Sequence, residues 1–244
     1  MRHRCRGVLT ACVVLSSALP LAAQDSLSAR AAFPVDAARR AGLRSSYDML
    51  AITGDSAQVI GRRTLEVIAA THAEQPAWLL IESRTGAVAA VESLYVTADL
   101  RPLRWSASQG SASLAMVFAR DSVFGATGGP AGRQSVIAPV PPKLIVSTGM
   151  LELLLPLLPL SARWSDSVSV LAVNQTSLVA VPGELAVIGE DEGSGTWIIA
   201  LRASAQAVLV WVTRETGSVV RIQQPVPLHI ASLLEYRPMA PTPP

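Results

Sequence analysis

The chain has little of the chemistry that most catalytic and metal sites use. Among its 244 residues are two cysteines and three histidines, and Cys5 and Cys12 both lie near the N-terminus. Only 16% of the residues are charged and 5% are aromatic. Beyond Cys12 the chain therefore has no thiol nucleophile, thiolate metal site or disulfide, and only His72 and His229 supply imidazole there.

Several enzyme motifs are also missing or incomplete. There is no Gly-rich phosphate loop, dinucleotide fingerprint or basic-aromatic stripe. Residues 54–56 (Gly-Asp-Ser) resemble the nucleophile triplet of one esterase class, but strand-like residues follow where that class needs a helix. Residues 190–195 lack the alternating oxygen ligands of a calcium loop and indicate a hairpin tip. The sequence predicts no catalytic residue, metal site or cofactor, and a hydrolase stays as a remote alternative.

Two glutamates are the nearest approach to a catalytic pair. Glu82 and Glu92 flank a turn and could meet across a hairpin, where paired carboxylates can perform acid–base chemistry. Arg84, Arg101 and Arg104 lie close in sequence, and cross-strand Glu–Arg pairs are the commoner arrangement. The sequence favours ion pairs here over catalysis.

The first 23 residues have the pattern of a secretory signal peptide. Three arginines in the first six residues precede an apolar stretch, 8–23, that ends in small residues. This stretch is shorter than the roughly 20 residues of a membrane-spanning helix. We expect cleavage after Ala23 and export, with the periplasm as the destination. Secretion, or lipidation at Cys12 within a lipobox-like tetrapeptide, are the alternatives.

Removal of this segment changes the charge balance. The whole chain has a formal net charge of +2 and a pI near 8.8. Residues 1–23 hold three of the 20 basic residues and none of the 18 acidic ones, so the remaining chain has a net charge of −1. That balance gives no electrostatic reason to expect nucleic acid as a partner. We expect a mature chain that is close to the membrane but has no transmembrane helix.

Apolar composition dominates what is present. Half of the residues are hydrophobic and the mean hydropathy is +0.39, which excludes disorder and allows a large core. From Tyr47 onward, short segments rich in Val, Ile, Leu, Thr and Trp alternate with turn residues, a pattern typical of strands. The predicted strands are 47–53, 58–69, 77–83, 87–97, 102–107, 112–119, 121–125, 134–138, 167–173, 184–190, 196–202, 207–213 and 218–223.

One Pro- and Leu-rich segment, 139–160, interrupts the strand pattern. Its first prolines cannot take part in strand pairing, and Ser147 then offers an N-cap for a short apolar helix that carries one carboxylate. A proline ends that helix after residue 155. We predict that it plugs one end of a curved sheet or covers a ligand, and both remain open.

An internal sequence repeat predicts the topology. Residues 95–103 align without gaps on 211–219, and Trp78 and Trp197 each precede these hairpins by one strand. Two similar halves within one sheet are favoured, because neither half would cover its apolar face alone. We predict an all-β fold with minor α content, a curved antiparallel sheet or open half-barrel. Its organisation is a tether at 24–45, one domain at 46–225 with halves 46–138 and 161–225, and a C-terminal tail at 226–244.

Several of these segments resemble a bacterial exported all-β family of unknown function. The resemblance rests on Tyr47-x-Met49, on 92–95 with 99–104, on Leu-Pro-Leu at 158–160 and on 211–221. That family is similar in architecture to the open half-barrels of lipoprotein carriers of the LolA/LolB kind. The resemblance covers about residues 45–225 and implies a concave face that holds acyl chains. Its motifs are hairpin signatures, from which no catalytic residue carries over.

Tryptophan is the best represented aromatic residue, with five Trp against three Phe and three Tyr. In a half-barrel these rings fill the core, the commoner role, or line a groove. We expect a non-enzymatic, exported cell-envelope protein that binds a lipid, an acylated chain or another apolar ligand on the concave face. The alternative is a structural or interaction scaffold with a filled core. The groove candidates are Trp78, Tyr95, Trp105, Met116, Phe118, Leu151, Leu154, Trp197 and Trp211.

Overall fold

A single β-sheet contains every strand in the computed structural model, which describes residues 33, 35–36, 41–130, 132–173, 178–203, 206–228 and 231–239. The proposed signal peptide with Cys5 and Cys12, and His229, lie outside the described residues. The strands are β1 (Arg44–Thr53), β2 (Ser56–His72), β3 (Gln75–Gly86), β4 (Ala90–Val96), β5 (Pro102–Gln109), β6 (Ala112–Phe118), β7 (Ser122–Gly129), β8 (Gly132–Pro139), β9 (Leu144–Ile145), β10 (Ser165–Val173), β11 (Leu178–Asp191), β12 (Thr196–Ala203), β13 (Gln206–Thr213), β14 (Val219–Leu228) and β15 (Ala231–Pro238).

The sheet is a meander that does not close. Its strand order is β8-β7-β6-β5-β4-β3-β2-β1-β15-β14-β13-β12-β11-β10-β9, and every pairing is antiparallel except β9 with β10. The edge strand β8 lies against β11, so the two ends of the sheet approach each other. The all-β prediction with a curved antiparallel sheet is confirmed, and each of the thirteen predicted strands overlaps an observed one.

Alternation along the strands produces one apolar face. In β6, Met116 and Phe118 are buried while Ala115 and Val117 are exposed. Side chains of successive strand residues point to opposite faces, so this pattern directs one set toward the core. The concave face therefore carries the core, and the convex face carries the alternate residues.

One short helix, α1 (Thr148–Leu154), fills the space over the concave face and continues into a 3₁₀ turn at Leu155–Leu157. Ser147 Oγ accepts a hydrogen bond from the backbone N–H of Met150, as the predicted N-cap requires. Residues 149–154 are all buried, which is typical of a helix inside a core. Gly149 permits the close approach, because a Cβ there would lie 3.1 Å from Leu65 Cδ1. No helix of the described residues is long and apolar enough to cross a membrane.

The internal repeat is visible in the strand registers. We call β2–β6 the first repeat and β11–β15 the second repeat. Trp78 pairs with Val96 in the first, and Trp197 pairs with Val212 in the second. The next concave row repeats in the same order, as Val67, Leu80, Leu94, Trp105 and Met116 against Val187, Ile199, Val210, Ile222 and Tyr236.

The two repeats also share a turn. Thr97 Oγ1 accepts the backbone N–H of Arg101 at 3.0 Å, and Thr213 Oγ1 accepts that of Ser218 at 3.0 Å. A register shift precedes each turn at the same place, after Tyr95 and after Trp211. The second turn is one residue longer, so the gapless alignment of the sequences slips by one position after it.

The C-terminal residues differ from their predicted role as a tail. Strand β15 lies between β14 and β1 and joins the two repeats. Pro225 and Pro227 are unusual residues for an interior strand, because proline cannot donate to strand pairing. The structure places both prolines in β14, where a register shift lies between Pro225 and Leu228, and such irregularities are among the few places where a sheet accommodates proline.

The predicted tether at 24–45 is likewise packed in part. Phe33 is buried in the core, and its backbone N–H donates to Asp99 O at 3.0 Å. Strand β1 begins at Arg44, inside the predicted tether. An isolated aromatic residue between Ala and Pro carries no periodic signal, so the sequence does not reveal that it enters the core.

We predict that β15 is essential to the fold. Leu234 is 1% exposed on β15 and faces the core, so Leu234→Ala should reduce the free energy of unfolding by about 2–5 kcal/mol in a urea titration. Val179→Ala, at a position 50% exposed, should change it by less than about 0.5 kcal/mol. Equal effects of the two variants would contradict the central position of β15.

Candidate functional site

Ionisable residues form a band across the concave face of β1 to β4. Tyr47, Arg63 and Arg84 are cross-strand neighbours in one row. Glu82 and Glu92 are neighbours in the adjacent row. Glu152 reaches the band from α1. We call the six residues the ionic cluster: Tyr47, Arg63, Glu82, Arg84, Glu92 and Glu152.

Arg63 is the centre of the cluster and is completely buried. One of its terminal nitrogens donates to Glu82 Oε2 at 2.6 Å, and the other donates to Glu152 Oε1. Its guanidinium carbon lies 5.4 Å from the ring centre of Tyr47 and 5.1 Å from that of Tyr236. Burial opposes the charged form, but Glu82 and Glu152 raise the pKa of Arg63 well above its ordinary value.

Glu152 fastens α1 to the sheet. Besides Arg63, its carboxylate accepts hydrogen bonds from Tyr47 Oη and Ser45 Oγ, both at 2.8 Å. Burial and the negative charge of Glu152 raise the pKa of Tyr47 far above its usual range, so this phenol remains a neutral donor. The single carboxylate of the helix therefore has three donors from β1 and β2.

The two glutamates on adjacent strands have different surroundings. Glu82 is bound by Arg63 and lies 3.4 Å from Arg84 Nε. Burial and the negative charge of Glu82 raise the pKa of Glu92 to about 7, against the opposing effects of Ser147, Arg84 and Trp105. Glu92 thus changes charge near neutral pH, while Glu82 is held by two guanidinium groups.

The second repeat shows that the sheet can be built without these charges. In the matched registers Gly183 stands at the place of Arg63, Leu201 at that of Glu82, Ala203 at that of Arg84 and Val208 at that of Glu92. Burying ionised groups is costly unless they are paired, and apolar replacements fold at least as well. The cluster is therefore a specialisation of the first repeat, which makes it the candidate functional site.

A cavity of about 290 Å³ lies beside the cluster, and we call it cavity A. Small side chains on β4 to β7 leave this space unfilled, and Arg84 is the charged residue of its lining. Most of the surface of cavity A is apolar, and hydroxyl and amide side chains supply the rest. The lining residues are Arg84, Ala90, Ala107, Ser108, Gln109, Ala112, Ser113, Leu114, Thr127, Gly128 and Val173.

A second cavity, cavity B, also measures about 290 Å³ and lies in the second repeat. It shares repeat-related positions with cavity A, since Ala203 corresponds to Arg84 and Gln224 to Ala107. Strand β10 contributes to both linings, with Val173 in that of cavity A and Val170 and Ala172 in that of cavity B. The lining residues of cavity B are Val170, Ala172, Val181, Leu201, Ala203, Val208, Gln224 and Pro225.

The groove candidates from the sequence divide into three groups. Five are buried in the core, namely Trp105, Met116, Phe118, Leu151 and Leu154. Two are half-buried on the concave face, Trp78 and Trp197, and Arg214 lies 5.5 Å from the ring of Trp197. Two lie on the convex face, where Tyr95 contacts His72 and Trp211 contacts Arg221. None of the nine lines cavity A or cavity B.

The sequence pointed to part of the ionic cluster. The proximity of Glu82, Glu92 and Arg84 was visible from their places around a turn, but Arg84 pairs with Glu82 on its own strand and not across strands. Arg63 and Glu152 were missed as partners, because 89 residues separate them. A lone acid in an apolar helix was the available signal, since such a group needs a buried partner.

A scan against protein-family models finds no match, and a search of curated proteins finds no significant match. Within the described ranges, no three His, Cys, Asp or Glu residues are arranged to hold a metal ion. The site is thus defined by its own geometry, which combines a buried ionic cluster with an adjoining small cavity.

We predict that Arg63 is indispensable while its two carboxylate partners remain. Arg63→Met should reduce the free energy of unfolding by about 3–5 kcal/mol, because Glu82 and Glu152 lose their shared cation. The triple variant Arg63→Met, Glu82→Leu, Glu152→Leu should recover most of that loss in the same urea titration. Arg62→Met, whose side chain is 66% exposed, should cost less than about 1 kcal/mol. A triple variant as unstable as the single one would contradict this account.

We also predict a pH effect from Glu92. Its pKa of about 7 in the folded protein lies above the value of about 4.3 in an unfolded chain, so the folded state holds the proton more tightly. Stability from this group is complete below the unfolded pKa and is lost as pH rises through about 7. Glu92→Gln should therefore be more stable than wild type at about pH 8, and the gap should shrink by about pH 5. Thermal unfolding at both pH values measures this, and a constant gap would refute it.

Proposed function

We propose that the protein is an exported, non-enzymatic cell-envelope protein that binds a small amphiphile in cavity A, with the apolar part of the ligand inside and an anionic group at Arg84. The observation that carries the proposal is the position of the ionic cluster. The charged residues occur beside one cavity and are replaced by apolar residues beside its repeat-related counterpart.

The positive charge of Arg84 indicates the class of ligand. Arg84 is the charged residue of the lining, and its side chain is 19% exposed, so it is partly desolvated yet accessible. Its ion pair with Glu82 is long, at 3.4 Å through Nε, and Glu82 keeps the shorter bond to Arg63. A ligand carboxylate or phosphate can bind a guanidinium through paired, charge-assisted hydrogen bonds. An anionic ligand group therefore fits Arg84 without leaving Glu82 unpaired.

The volume of cavity A limits the size of the apolar part of the ligand. A cavity of roughly 150 Å³ holds benzene, and ligand pockets start at about 300 Å³. Cavity A, at about 290 Å³, accordingly suits a short alkyl chain or one or two rings. The core positions where acyl chains were expected are occupied by α1 and by the buried groove candidates. A medium-chain acid is a better match than a whole long-chain lipid.

A structural or interaction scaffold is the second candidate. The filled centre of the half-barrel favours it, as does an apolar row on the convex face beside the β8 edge. Val117, Phe124 and Ile137 are cross-strand neighbours there and are 39%, 45% and 75% exposed. An exposed apolar row is a recurrent feature of protein contact surfaces. This candidate predicts no ligand response at cavity A.

We predict that octanoate raises the melting temperature and that palmitate has a smaller effect. At a ligand concentration near 100 times Kd, the stabilisation should be about 2.7 kcal/mol. Arg84→Met should weaken octanoate binding at least tenfold, as measured by titration calorimetry. Arg202→Met, an exposed arginine of the second repeat, is the matched control and should leave Kd unchanged.

Native mass spectrometry of protein purified from its own cell envelope gives an independent readout. A co-purified anionic amphiphile supports the ligand-binding function. If no such mass is present and no acid of any chain length changes the melting temperature, the scaffold function is preferred.

A further inference from the structure

We propose that cavity B is a second ligand site and that it takes an uncharged apolar molecule, such as a short alkyl chain or an aromatic ring. The inference rests on the internal repeat and on the lining of cavity B. It does not depend on whether cavity A binds an anion.

The two cavities occupy related positions in the two repeats. Ala203 and Arg84 have the same place in the register, because Ala203 pairs with Gly183 as Arg84 pairs with Arg63. Gln224 lies two residues beyond Ile222, as Ala107 lies two residues beyond Trp105. Both positions contribute to their cavity. These shared positions relate the two cavities through the repeat, although β6 and β7 also line cavity A and β11 also lines cavity B.

The chemistry of cavity B differs from that of cavity A in one direct respect. The first repeat has Glu82, Arg84 and Glu92 at three positions where the second has Leu201, Ala203 and Val208, and these three line cavity B. None of the eight lining residues of cavity B is charged, and Gln224 is the polar side chain among them. An ionised ligand would lose its hydration there without gaining a partner of opposite charge.

Cavity B is large enough for a small ligand and is lined by residues distinct from those of cavity A. Cavity B has about 290 Å³, almost twice the roughly 150 Å³ that suffices for benzene in an apolar cavity. The two linings share no residue, and β10 contributes Val173 to cavity A and Val170 and Ala172 to cavity B. A ligand in one cavity would therefore not compete with a ligand in the other for the same side chain.

The experiment uses a neutral alkyl diazirine as photolabel, with octanol and octanoate as competitors of equal chain length. Labelled residues are located by peptide mass spectrometry of the full mature chain. We expect label on residues that line cavity B, among them Leu201, Val208 and Pro225. Octanol should reduce that label at least tenfold, and octanoate should reduce it less than twofold at the same concentration.

Two matched substitutions separate the sites. Ala203→Phe should fill cavity B and remove its label at least tenfold, while octanoate binding stays unchanged. Ala107→Phe should fill cavity A and weaken octanoate binding, while the label at cavity B stays unchanged. Far-UV circular dichroism and melting temperature establish that each variant is folded.

Each remaining outcome overturns the proposal. Label confined to cavity A or to the convex face, label at cavity B that octanol does not displace, or equal competition by octanoate would each show that cavity B is not a site for neutral ligands. The wild-type competition decides the question even if Ala203→Phe fails to fold. Loss of octanoate binding alone would refute the function of cavity A and leave cavity B standing.

Discussion

The buried guanidinium of Arg63 is the interaction on which the arrangement of sheet and helix depends. It connects three elements, because β2 supplies the cation, β3 supplies Glu82 and α1 supplies Glu152. The helix is too short to be stable alone, since isolated helices of fewer than about 12 residues are marginal in water. Its position over the concave face therefore follows from apolar burial together with this one ionic contact. Hydrophobic packing is non-directional, whereas the paired hydrogen bonds of Arg63 select a single orientation of α1.

Comparison of the two repeats distinguishes the features that the fold requires from those that occur in one repeat. Both repeats have the inward tryptophan, the register shift and the threonine-closed turn, so these features belong to the sheet. Arg63, Glu82, Arg84 and Glu92 occur in the first repeat, and Gly183, Leu201, Ala203 and Val208 stand at their places in the second. These charged residues differ from apolar core residues. Replacing a core residue by a smaller one leaves a void, whereas the repeat-related positions here are filled without a charge. Glu82 and Glu92 are therefore not required by strand pairing itself, since Leu201 and Val208 take the same places in the second repeat.

Much of the sheet could be predicted from the sequence, because period-two alternation and turn residues are local signals. The helix was also predictable from Ser147 and the prolines that follow it. Strand β15 was not, since the last predicted strand ends at residue 223 and the partner strand β1 lies almost 190 residues away. The groove candidates show the same limit. Large apolar residues were chosen as ligand contacts, but they complete the core, whereas the cavities are lined by residues that are small, such as Ala90, Ala107 and Ala203.

Space for a ligand in this fold arises from small side chains, and its chemistry from the few charges beside them. A half-barrel with large inward residues at every position would be filled, as it is around Trp105 and Met116. Alanine at the rows nearest Arg84 and at Ala203 interrupts that packing in both repeats. Both spaces are partly open to solvent, so they lie at the margin of the packed core and are not sealed voids within it. The two binding sites that we propose there differ in polarity, because Arg84 lines cavity A whereas none of the residues that line cavity B is charged.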